Sequence, residues 1–123
     1  YFSPESLLPA VSQGALGIET RADNEELMPL IEPLVDDVTQ LCVKAERALN
    51  RRLGGDCHVP IAAHAQIEDT QLSMHALVGR LDGSELIQSS LSGPAIDAEV
   101  LGDKLGQILL DMGAGQILQE LQQ

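Results

Sequence analysis

Aromatic and basic residues are both scarce in this sequence. The 123 residues include one Phe, one Tyr and no Trp, and seven Lys and Arg stand against nineteen Asp and Glu, which gives a formal net charge of -12. Binding of nucleic acid requires basic groups that neutralise phosphates, and stacking on its bases requires exposed aromatic rings. We therefore expect neither nucleic acid nor an anionic membrane as a partner.

Long apolar runs and a cysteine framework are also missing. No stretch approaches the ~20 apolar residues of a membrane span, and no basic region followed by an apolar stretch marks a secretory signal. Two unevenly spaced cysteines do not form a disulfide framework. We expect a cytoplasmic protein with an aliphatic core. The chain begins with Tyr1 and Phe2 rather than Met, which we interpret as a start within a longer protein.

The sequence pattern of residues 1–35 predicts an arm that belongs to a neighbouring domain. Residues 1–14 are typical of an irregular connector, and residues 15–20 predict a short apolar strand without an obvious parallel partner. A helix is predicted to follow Asp23. This helix tolerates Pro29 only if it begins late enough to place that proline in its first turn.

Residues 36–123 predict an α+β domain in which amphipathic helices cover a three-stranded antiparallel sheet. Alternating apolar residues predict strands over 59–68, 72–81 and 85–91, joined by short turns. One such sheet cannot bury its apolar face alone, so it needs a cover.

Two long helices supply that cover in the prediction. The first has Asp37 as its N-cap and ends at Gly54, and the second has Asp97 as its N-cap and ends at Gly113. A last amphipathic turn over 117–121 is predicted to pack back on the domain.

Cys57 is the residue best placed for chemistry. It follows Gly54, Gly55 and Asp56 in a predicted loop between helix and strand, whereas Cys42 lies on the apolar stripe of the first long helix and is predicted to be structural. Nearby Arg51 and Arg52 would favour its thiolate, and Asp56 would oppose it. The residues around Cys57 support a functional role for this cysteine and the absence of any role about equally well.

A metal site is not expected. Cys57, His58, His64 and His75 are ligand types that zinc accepts, but they lack the close pairs of a structural zinc site. Strand alternation places His64 on the face opposite Ile61, where a polar residue is ordinarily exposed. No two carboxylates are positioned by the sequence as an acid and base pair.

Three motifs in register carry a resemblance to a known family. They are LPAVSQGALGIE at 8–19, AERALN at 45–50 and LGGDCHVPI at 53–61. Their order and spacing resemble the hydroxymethylbilane synthase family, also called porphobilinogen deaminase. The resemblance covers the whole chain but corresponds to the C-terminal portion of the family, in which two larger domains precede a small α+β domain.

The resemblance implies roles for three residues. Cys57 matches the cysteine that holds a dipyrromethane cofactor through a thioether, and Gln13 and Gly14 match residues near the cleft that binds the pyrrole chain. Asp56 departs from the family, whose members commonly have Gly there. The substrate implied is porphobilinogen, four units of which are condensed with loss of ammonia.

The resemblance also implies what this chain lacks. The catalytic aspartate and the arginines that bind the substrate's acetate and propionate groups belong to the two preceding domains, so the fragment alone is expected to be inactive and to lack the cofactor. The parent enzyme is expected to be a monomer, and the isolated fragment to be prone to self-association. The alternative is an independent α+β interaction module in which Cys57 is incidental.

Overall fold

The computed structural model describes residues 8–12, 15–16, 26, 28–34, 36–54 and 60–121. The elements follow the order of a short helix, a long helix, three strands and two further helices. Their bounds are α1 Met28–Ile31, α2 Asp37–Leu53, β1 Ile61–Glu68, β2 Gln71–Gly79, β3 Leu86–Pro94, α3 Ala98–Leu109 and α4 Gly115–Leu121. Short 3-10 turns occupy Glu32–Leu34 and Ala95–Asp97, and a π-helical turn at Leu110–Ala114 links α3 to α4.

The three strands form one antiparallel sheet in the order β1-β2-β3, which confirms the predicted α+β fold. The β1–β2 register pairs Glu68 with Gln71, so the hairpin turn consists of Asp69 and Thr70. Asp69 has φ 58°, the left-handed conformation that such a two-residue turn requires.

Both long helices pack on one face of this sheet. Alternate strand residues on that face are buried, and they meet Leu49 of α2 and Leu105 and Leu109 of α3, which have no exposed surface. Ile117 and Leu118 of α4 are buried as well, which confirms that the last helix packs back. The aliphatic core expected from the scarcity of aromatic residues is therefore present.

The predicted end of the third strand was wrong. Ser92, Gly93 and Pro94 continue β3, with Gly93 opposite Leu72. A Cβ atom on Gly93 would come within 2.7 Å of the Leu101 side chain, so the glycine makes room for α3 rather than breaking the strand. Because β3 lies at the edge of the sheet, the missing N–H of Pro94 is tolerated there.

The predicted N-cap of α2 was wrong by one residue. Asp36, not Asp37, is the cap: its Oδ1 accepts from the Val38 N–H at 3.2 Å and its Oδ2 accepts from the Thr39 hydroxyl at 2.9 Å. Gly54 ends the helix as predicted, with φ 69°. Asp97 precedes α3 as predicted, but its side chain makes no capping hydrogen bond.

Gly113 interrupts the second long helix, as predicted. The regular α-helix α3 ends at Leu109, Leu110 keeps helical backbone angles, and the non-helical break before α4 comes at Gly113, which has φ 108°. None of the helices in the described ranges is long and apolar enough to cross a membrane.

The N-terminal arm is described only in part. Helix α1 begins at Met28, so Pro29 lies in its first turn, as the sequence required. Ala15 and Leu16 are not in a strand, and residues 17–20 of the predicted strand lie outside the described residues. The connector is not wholly irregular, because Ala10 forms an isolated antiparallel bridge with Ala62 of β1.

Candidate functional site

The candidate site residues Cys57, Gln13 and Gly14 lie outside the described residues, as does His58. Their flanking residues are described. Residues 55–59 join the C-terminus of α2 to the start of β1, and residues 13–14 join Ser12 to Ala15. The structure therefore defines the supports of the candidate site.

Both supports of segment 55–59 are fixed by backbone hydrogen bonds. On the helix side, the Gly54 N–H donates to the Arg51 carbonyl at 3.1 Å. On the strand side, the Pro60 carbonyl accepts from the Gly79 N–H at 3.2 Å. Segment 55–59 thus connects two elements that belong to the packed domain.

Arg52, near the end of α2, is held by α3. Its Nε donates to Gln107 Oε1 at 3.1 Å, its Nη2 donates to the same oxygen, and its Nη1 lies 3.8 Å from Asp103 Oδ1. The sequence suggested that Arg52 favours a Cys57 thiolate. The contacts described for its guanidinium are instead with α3.

Arg80 forms a second ion-paired group just after Gly79. Its Nε donates to Glu85 at 2.9 Å, and its Nη1 donates to Glu120 of α4. These two hydrogen bonds raise the pKa of Arg80. The contacts tie the β2–β3 turn to the last helix, beside the strand that supports Pro60.

Cys42 packs against the core, as its place on the apolar stripe of the first long helix predicts. It is a free thiol, half-buried on α2 and packed against the core. Burial raises the pKa of its thiol, and the nearby Glu46 and Asp36 carboxylates raise it further. A thiol with a raised pKa forms less thiolate at neutral pH, so Cys42 is poorly suited to act as a nucleophile.

A cleft of about 620 Å³ lies between α2 and the free edge of β1. Glu46 lines it and is only 6% exposed. Glu46 Oε1 accepts a hydrogen bond from the Ser12 N–H at 3.1 Å. Burial raises the pKa of Glu46 to about 7, although the hydrogen bond from Ser12 opposes that shift.

The uncovered face of the sheet is polar. His64 and His75 are direct partners across β1 and β2 on this face, and His75 faces Ser90 of β3. A groove of about 550 Å³ runs over these residues. Within the described ranges, no three His, Cys, Asp or Glu side chains are grouped closely enough to hold a metal ion.

Sequence reasoning missed the contact between Glu46 and Ser12. A signal was present: Glu46 lies four residues after Cys42 and three before Leu49, on a helical stripe that is otherwise apolar. An acid at such a position is either buried with a partner or disrupts the packing. Its partner, 34 residues away in sequence, gives no comparable signal.

Comparison with known proteins assigns the chain to a family of enzymes. A family model described as the porphobilinogen deaminase C-terminal domain matches residues 40–111. The porphobilinogen deaminases of Coxiella burnetii strains Dugway 5J108-111 and CbuK_Q154 are each 45% identical over 123 residues, and that of strain RSA 331 / Henzerling II is 44% identical. The chain belongs to the porphobilinogen deaminase family. Each alignment covers 100% of this chain and 40% of the relative, so the chain spans about 40% of the length of these relatives.

Proposed function

We propose that this chain is the cofactor-carrying C-terminal part of a transferase that condenses four porphobilinogen units into hydroxymethylbilane with release of ammonia. The observation that carries the proposal is the match to the C-terminal domain of porphobilinogen deaminase, together with identity along the full chain. If the chain were an independent interaction module, its 45% identity to porphobilinogen deaminase over all 123 residues would be unexplained.

Cys57 is the proposed covalent anchor. The Cys57 thiol would lose its S–H proton, and its soft sulfur would bond to the methylene carbon of a pyrrole from which ammonia has left, so that a thioether results. The chain has two cysteines, and the raised pKa of Cys42 and its packing against the core argue against the other one. When bound, a dipyrromethane supplies the pyrrole end to which porphobilinogen units are joined.

The supports of segment 55–59 favour a precise anchor. A site held on regular elements is positioned more accurately than one that lies far from them. Gly54 and Pro60 are each hydrogen-bonded to the domain, and only five residues separate them. We infer that the domain carries the cofactor on segment 55–59.

The acid chemistry is assigned to preceding domains. Porphobilinogen carries carboxylate groups, and a chain of net charge -12 repels such a substrate. The cationic groups that bind the substrate are therefore proposed to lie outside this chain, and the resemblance implies the same of the catalytic aspartate. We therefore propose that the chain alone neither turns over porphobilinogen nor assembles the cofactor.

Residues 1–35 are proposed as the return segment from the preceding domain, with residues 36–123 as the C-terminal domain. Leu30, Leu34 and Val38 are 72%, 68% and 50% exposed. They lie on α1, on the 3-10 turn that follows it and in the first turn of α2, so three successive elements each expose a large apolar side chain. These exposed side chains are well explained if the preceding domain covers them. If they are uncovered in the isolated chain, they also favour self-association.

The cysteine usage supports the further proposal of a cytoplasmic enzyme. The resemblance supports a monomeric parent, because the exposed side chains of Leu30, Leu34 and Val38 would then be covered within one polypeptide. Sedimentation of the full-length protein and of the 123-residue chain tests this pair of statements. We expect a monomer in the first case and concentration-dependent association in the second.

The function is tested by intact-mass measurement and assay of the full-length protein. We expect a dipyrromethane-sized adduct and turnover of porphobilinogen in the wild type and in Cys42→Ser, and neither in Cys57→Ser. Cys42→Ser is the matched control, since it removes the other thiol. An adduct that persists in Cys57→Ser would contradict the proposed anchor.

A further inference from the structure

Glu46 is a buried acid tied to the N-terminal connector. Among the described residues, Glu46 is the one charged side chain that is buried. In the sequence of α2 it follows Ala45 and precedes Leu49, both of which are fully buried. Burial of a carboxyl group is unfavourable unless it is hydrogen-bonded. Glu46 Oε1 accepts a hydrogen bond from the backbone N–H of Ser12, at 3.1 Å.

The connector is attached to the domain at two points. The Ala63 N–H of β1 donates to the Pro9 carbonyl at 2.9 Å, which holds the connector on the free edge of the sheet. Three residues later, Glu46 holds Ser12 on α2. Val11, between these two points, packs against the core.

The connector is held in an unfavourable conformation at Ser12. This residue has φ 61°, a left-handed geometry that is unfavourable for a residue with a Cβ atom. Its hydroxyl oxygen is buried and has no hydrogen-bond partner among the described residues. A conformation with these two penalties persists only when surrounding contacts impose it.

Ser12 also begins the stretch that contains the candidate cleft residues. The Ala15 N–H donates to the Ser12 carbonyl at 3.2 Å. This hydrogen bond links the two residues that flank Gln13 and Gly14. The position of Ser12 therefore fixes the residue that immediately precedes Gln13 in the chain.

We propose that Glu46 is a positioning residue: it holds the Ser12 backbone against α2 and thereby fixes the residue that precedes Gln13 and Gly14, the two residues that the proposed function assigns to the pyrrole cleft. This inference rests on the proposed function for the role of Gln13 and Gly14. Glu46 itself acts through Ser12 and has no assigned contact with substrate.

Two variants of the full-length protein separate the hydrogen bond from simple space filling. Glu46→Gln retains an acceptor oxygen, whereas Glu46→Leu has a similar volume and no acceptor. We expect exchange of the Ser12 amide hydrogen to be at least tenfold faster in Glu46→Leu and unchanged in Glu46→Gln. We also expect KM for porphobilinogen to rise severalfold in Glu46→Leu alone, with the cofactor adduct on Cys57 retained.

The possible results test the Glu46–Ser12 contact, the positioning role of Glu46 and the proposed function separately. Wild-type exchange of the Ser12 amide in Glu46→Leu would overturn the contact, and faster exchange with unchanged KM would overturn the positioning role. The wild type gives a test that needs no variant to fold: a Ser12 amide that exchanges as fast as in an unstructured peptide would overturn the contact. A wild type without a pyrrole adduct would instead contradict the proposed function and leave the exchange result valid.

Discussion

The carbonyl oxygen of Ala45 on α2 occupies the space that a Cβ atom on Gly102 of α3 would need. One turn further along, a Cβ atom on Gly106 would lie 2.8 Å from the Cβ of Arg52. The two helices that cover the sheet therefore approach each other closely through glycines, and this approach sets the geometry of α2, which carries Glu46 and ends at Gly54.

Gly102→Ala is expected to destabilise the protein by about 1 to 3 kcal/mol or more, because a methyl group there meets backbone rather than a movable side chain. Gly115→Ala is the matched control. Gly115 has helical dihedral angles, and a Cβ atom there would lie 3.6 Å from Leu110, an ordinary contact. Urea unfolding of both variants checks the prediction, and equal stabilities would contradict it.

Ser12→Gly is expected to stabilise the protein by about 1 kcal/mol. Glycine adopts φ 61° without a Cβ penalty, and the change removes a buried hydroxyl, although glycine also loses more backbone entropy on folding. Asp69→Gly is the control, since Asp69 has φ 58° but is exposed. Thermal unfolding should show the larger gain for Ser12→Gly; a loss of stability there would argue against strain at this residue.

Glu46→Gln is expected to change how stability depends on pH. The pKa of Glu46 rises from 4.5 to about 7 in the folded protein, so the folded state holds this proton more tightly than the unfolded state. Stability from this group is therefore greatest below pH 4.5 and falls as the pH rises to about 7, by at most about 3 kcal/mol.

The comparison of Glu46→Gln with the wild type isolates that effect, because Cys42 and His64, which also line the cleft, are present in both. Urea unfolding at several pH values should show the variant gaining stability relative to the wild type between pH 4.5 and 7. Parallel profiles over that range would contradict a raised pKa at Glu46.

The sheet and its helical cover could be predicted because their signals are local. Alternation along β1 and β2 and the regular apolar spacing of α2 each follow from which face is buried. The extension of β3 could not be predicted in this way. Gly93 and Pro94 are typical of a turn, and only the packing of Leu101 against Gly93 explains why the strand continues.

Around the candidate site, too, the local features could be predicted from the sequence and the long-range contact could not. Gly54 was predicted as the end of α2 because a left-handed glycine commonly ends a helix. The contact between Glu46 and Ser12 joins residues far apart in sequence and depends on how the connector meets β1 and α2. The choice of Cys57 over Cys42 came from sequence context, and the structure adds the raised pKa of Cys42.

The central claim is that the cofactor is attached to Cys57, and tryptic mapping of the full-length holoenzyme tests it most directly. Cleavage after Arg52 and Arg80 places Cys57 in peptide 53–80, whereas Cys42 lies in peptide 22–44. We predict a dipyrromethane-sized mass increase on peptide 53–80 and none on peptide 22–44. An unmodified peptide 53–80 in active enzyme, or an adduct on peptide 22–44, would contradict the account.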